Sequence, residues 1–104
     1  MAFEILDEII ATRMLYVIDD QGNKRPVSVF IGKPEPADDS SGYTCPYQVI
    51  GIGSQKTHVA RGTDAIQALQ SALMLTGASL HHLNNELSGK LTWNGAQRGE
   101  LGFP

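Results

Sequence analysis

Four groupings of residues in this chain have the types that chemistry needs. Cys45 and His58 are a thiol and an imidazole, the pair that nucleophilic catalysis uses. His58, His81 and His82, with Cys45 and scattered carboxylates, are the available metal ligands. Asp19-Asp20 and Asp38-Asp39 are adjacent carboxylates, and general acid–base catalysis relies on paired acids. The stretch "GIGSQKTHVARG" joins Gly51 and Gly53 to Lys56, the composition of a phosphate-binding loop.

Spacing weakens each of them. No Cys-x-x-Cys or His-x-x-x-His pair exists, and neighbours such as His81 and His82 diverge by about 100° on a helix. His82 and Glu86 stand four apart and can interact on a helix surface. Cys45 precedes Pro46 at a strand start and reads as a small buried hydrophobe. Both aspartate pairs fall in turns, away from any dry cleft that would tune an acid or base. The Gly-x-Gly lacks P-loop spacing, and its strands precede the helix instead of alternating with it. The expectation is therefore no metal, no cofactor and no catalytic set. An enzymatic or small-ligand role would rest on a cleft near Cys45, His58 and Arg61.

At 104 residues the chain has room for one core, and residues 1–104 read as one domain. The net charge of −3 argues against nucleic acid, whose phosphates call for an excess of Lys and Arg. The acidity is concentrated in residues 1–44, with eight carboxylates against four basic side chains. Such a surface suits a basic protein partner, with Glu35, Asp38 and Asp39 as its contact residues. One cysteine allows no intrachain disulfide, and "MAFEILDEII" has acids where a secretory leader needs basic residues. With no stretch apolar enough to span a bilayer, the expected location is the cytoplasm.

The elements that would position these residues follow from composition and period. "IIATRMLYVID" reads as a strand from about Glu8 to Asp19, "DQGNKR" as a hairpin loop and "PVSVFIG" as a second strand. "KPEPADDSSG" is a long surface loop, "YQVIGIG" a third strand carrying Gly51 and Gly53 on one face, and "KTHVARG" a short fourth. A long helix follows, capped by Thr63 with Asp64 in its first turn. Its apolar stripe is Ile66, Leu69, Leu73, Thr76, Leu80, Leu83 and Leu87, flanked by Ala65, Ala68 and Ala72. Leu69→Ala or Leu73→Ala should then cost about 2–5 kcal/mol. Gly77 marks a tight contact with the sheet or a break, and Gly89 a stop. Residues from about 90 to 104 form a turn-rich tail docked through Trp93, Leu101 and Phe103. The predicted fold is α+β, a three- to four-stranded antiparallel meander covered on one face by one long helix.

"ATRML", "VSVFIGKP", "CPYQVIGIG…ARGTDAIQALQSAL" and a Trp followed by "LGFP" together resemble a small uncharacterised bacterial domain family. The Cys-x-Tyr strand and the helix start at Gly62, Asp64, Ala68 and Leu69 are the most specific parts. The resemblance covers most of the chain, brings no activity, and implies a free-standing domain of the bacterial cytosol. The functional expectation is a non-enzymatic protein-binding domain, such as an immunity or accessory protein that occludes a basic partner. The alternatives are a homodimer built through an edge strand or the helix face, and the cleft near His58.

Overall fold

In the computed structural model, residues 8–39, 41–88, 90–93 and 100–104 are described. β1 (Ile9–Ile18) and β2 (Lys24–Gly32) pair antiparallel around the expected turn. Asp19 closes that turn: its Oδ1 accepts from the backbone N–H groups of Gln21 and Asn23, each at 2.9 Å. This is the local bonding that makes Asp a turn residue. Strand alternation puts Leu15, Val17, Val27, Val29 and Ile31 on one face, and all five are buried.

β4 (Tyr43–Ile50) lies beside β2, with Ile31 opposite Tyr47 and Ser28 opposite Ile50. β5 (His58–Gly62) pairs with the first half of β4. Among the described residues the sheet has six strands, more than the meander of three or four that was expected. The additions are β3 (Glu35–Pro36), paired to β4 at Thr44 and Tyr43, and β6 (Leu91–Trp93), paired to β1. One came from the stretch read as a surface loop and the other from the stretch read as a tail. Strands of two and three residues show no period in a sequence. The α+β class stands.

α1 (Ala65–Glu86) runs 22 residues across β4 and β5. Its cap is Asp64, one residue beyond the predicted Thr63. The Asp64 carboxylate accepts from the Gln67 N–H at 2.8 Å, and Gln67 Oε1 accepts from the Thr63 N–H at 2.6 Å. The buried line of the helix is Ala68, Ala72, Thr76 and Leu80, with Gly77 beside it. Of the predicted stripe, Thr76 and Leu80 keep the buried line, while its other members are rotated to the edges of the contact. Leu69, Leu73, Leu83 and Leu87 flank the core half-buried, and Ile66 is 69% exposed. Alanines at the contact let the helix sit close to the strands, which the longer leucines then bracket. Thr76 is tolerated in the core because its hydroxyl donates to the Ala72 carbonyl at 2.7 Å. The cavity cost expected at Leu69 and Leu73 belongs instead to Leu80, which is fully buried.

The helix passes through Gly77 unbroken, and the tight contact there is with the C-terminal segment. A Cβ on Gly77 would lie 2.9 Å from the Phe103 Cβ. The predicted stop at Gly89 lies outside the described residues. The predicted anchors do dock: Leu101 is buried, and Trp93 and Phe103 pack half-buried on the core. Arg13 clamps them. Its guanidinium donates to the carbonyls of Leu101 and Gly102 at 3.2 and 2.6 Å, and lies 4.1 Å from the Trp93 ring and 4.9 Å from that of Phe103. Among the described residues, no helix is long and apolar enough to cross a membrane.

Candidate functional site

The connection from β4 to β5, residues 51–57, and the second half of α1 border a cleft of about 400 Å³. Tyr47 and Val49 of β4 and His58 of β5 line it from the sheet. Ile52 to Lys56 line it from the connection, and Ala78, Ser79, His82 and Leu83 from the helix. Pockets for small organic molecules span roughly 300–1,000 Å³.

The connection keeps its shape by unusual backbone. Gly51 and Gly53, expected inside a strand, fall just after it at φ +113° and +70°. Gln55 adopts φ +60°, a left-handed conformation that a residue with a Cβ enters at a cost. Two hydrogen bonds hold it there. Gln55 Oε1 accepts from the Gly51 N–H at 2.9 Å, and the buried Gln48 amide donates to the Gln55 carbonyl at 3.1 Å. Glycine at 53 lets the connection rest on the helix, where a Cβ would sit 3.3 Å from the Leu83 side chain.

Tyr47 and His58 are cross-strand partners on the sheet side, their rings stacked 5.5 Å apart at 26°. Burial pushes the Tyr47 hydroxyl up from its ordinary value, so it stays protonated. The charged and ionisable side chains of the lining are Lys56, His58, His82 and Tyr47, with no carboxylate. The nearest acid on α1, Glu86, approaches His82 at 3.8 Å from outside the lining. Lys56 has no ion-pair partner among the described residues. Beside it, the buried Thr57 hydroxyl finds no hydrogen-bond partner among those residues.

Of the cleft predicted from Cys45, His58 and Arg61, only His58 lies here. Cys45 is fully buried opposite Ala60, and its thiol donates to the Gly32 carbonyl at 3.3 Å. Burial pushes that thiol up, against the thiolate a nucleophile needs. Arg61 lines a separate depression of about 290 Å³ with Glu35, Asp38 and Asp39. The predicted acidic group does come together, exposed, but with an arginine among it. Asp39 is held below the usual carboxylate range first by hydrogen bonds from the Ser41 hydroxyl and N–H, and lastly by Arg61. No group of three His, Cys, Asp or Glu among the described residues is placed to hold a metal ion.

Sequence reasoning missed Lys56, Gln55, Ser79, His82 and Leu83 as members of one site. The usable signal was Gly51-x-Gly53 ahead of a strand, with His82 beside the leucine stripe. What it lacked was the angle at which the connection meets the helix.

No curated protein and no solved structure matches the chain. Residues 11–104, from the first half of β1 through the clamped C-terminal segment, match DUF6968, described as a domain of unknown function, and the chain belongs to that family.

Proposed function

We propose that this chain is a non-enzymatic binding domain of the bacterial cytosol whose cleft between the β4–β5 connection and α1 holds a small organic ligand. The observation that carries the reading is the cleft itself. An apolar floor of Tyr47, Val49, Ile52 and Leu83 is set with a few polar groups and walled by backbone held in a costly conformation. Apolar lining with sparse polar groups is the usual make-up of a ligand site, and backbone strain gathers at such sites. Binding is favoured over catalysis because the thiol is sealed in the core and no carboxylate in the lining orients His58. The test is a fragment screen read from backbone amide shifts. The expected shifts cluster at residues 51–58 and 78–83 and vanish in Ala78→Trp, which fills the cleft from an exposed helix position. Shifts scattered over the surface, or unchanged by Ala78→Trp, would overturn the reading.

A second reading rests on a separate observation. Glu35, Asp38 and Asp39 share one exposed depression, which suits a basic partner that an immunity or accessory protein would occlude. Arg61 within the group weakens that field. A decalysine peptide titrated at low salt should shift amides of residues 35–44, and Asp38→Lys should abolish those shifts. Unaltered shifts in the variant would end this reading.

A further inference from the structure

We infer that the ligand of this cleft is an amphiphilic anion: a carboxylate, anchored at Lys56, on a compact apolar body. The inference rests on the cleft being the binding site. Its first support is the charge inventory. The chain carries a net charge of −3, yet the side chains facing this cavity are basic or neutral from every element that forms it. β4 contributes Tyr47, the connection Lys56, β5 His58 and α1 His82, with Glu86 engaged at His82 outside the lining. A cation at the ligand's head would meet Lys56 with nothing to offset the repulsion.

The second support is the state of Lys56. Arg13, at the other groove beside α1, is matched by two carbonyls and the Phe103 ring of the chain's own C-terminal segment and by the Trp93 ring of β6. Lys56 has no counterion among the described residues. A carboxylate would give it one, and Ser54, Ser79 and the imidazoles of His58 and His82 are the other groups of the lining able to donate hydrogen bonds to a ligand. The third support is the floor. Val49, Ile52 and Leu83 offer a small inorganic anion such as phosphate nothing to bond to, and release water only to an apolar body. One charged ammonium among apolar side chains selects a molecule that carries one anion on an apolar body.

The experiment titrates the full chain with three probes of one shape and different charge: 2-naphthoate, 2-naphthamide and 2-naphthylmethylammonium. Binding is followed by amide shifts, in the wild type and in Lys56→Gln. The expected result is that 2-naphthoate shifts residues 51–58 and 78–83 and binds about tenfold tighter than the amide, with the ammonium weakest. Lys56→Gln should bring 2-naphthoate down to the affinity of the amide and leave the amide unchanged. Equal affinities of all three probes at the cleft would overturn the anion inference and leave the cleft reading standing. A Lys56→Gln variant that weakens all three alike would also overturn it, since the lysine would then act on shape. No shift at the cleft with any probe would overturn both.

Discussion

On one flank of α1 the chain fills its own groove, and on the other it does not. The flank over β1 and β2 is covered by Leu101 to Pro104, and the space left there, beside Leu73 and Phe103, is about 190 Å³. The flank beside the β4–β5 connection keeps about 400 Å³. Each flank has one long cation. Arg13 is spent on the covering segment, while Lys56 stays without a counterion among the described residues. Closing a groove over an alanine-faced helix thus takes two things: apolar side chains to displace water, and acceptors for the cation at its edge. The first flank finds both in the chain. On the reading proposed above, the second leaves both to a ligand.

The largest test of that contrast is Leu101→Ala. Leu101 is 7% exposed, and its loss should cost about 2–5 kcal/mol in urea unfolding, the range for a buried leucine. Unchanged stability would mean that the covering segment holds nothing, and the two flanks would no longer differ in kind. Arg13→Ala comes next. Removing two charge-assisted hydrogen bonds and two ring contacts at a half-exposed site should cost about 1–2 kcal/mol and shift the Trp93 emission. Arg13→Lys should recover less than half, because an ammonium cannot lie flat beside both rings. Full recovery would make the clamp a matter of charge alone.

Much of this contrast was legible in residue types, and little of it in spacing. The β1–β2 hairpin followed from Gly22 and Asn23, and the anchoring role of Leu101 and Phe103 from their apolarity in a polar stretch. The helix was legible as a helix but not in its orientation. Leucines marked its stripe, yet packing against a sheet rewards close approach, so Ala68 and Ala72 took the contact. The cap was misread by one residue for a similar reason. Thr63 and Asp64 are both good caps, and the choice fell to Gln67, which bonds each of them. Asp64→Ala should therefore cost about 1 kcal/mol, against a few tenths for Thr63→Ala. Equal costs would put the cap back at Thr63. The cleft was the least legible part, because its walls come from segments about 25 residues apart and its shape from dihedral angles.

The smallest expected effect probes those dihedrals. Gln55→Ala removes the side-chain bond to the Gly51 N–H while residue 55 keeps its left-handed φ, a net loss of about 1 kcal/mol. Gln55→Gly loses the same bond but also the Cβ penalty, about 1 kcal/mol for such a conformation, so it should unfold within about 0.5 kcal/mol of the wild type. Stability and binding should then separate. The glycine variant keeps the fold but frees the connection, and its affinity for 2-naphthoate should fall because the wall must be ordered again on binding. If alanine and glycine unfold alike, the left-handed residue carries no cost here. The open flank would then be held by the Gln48 bond to the residue 55 carbonyl and by the rest of Gly53 on Leu83, and a bulkier residue at position 53 would become the way to close it.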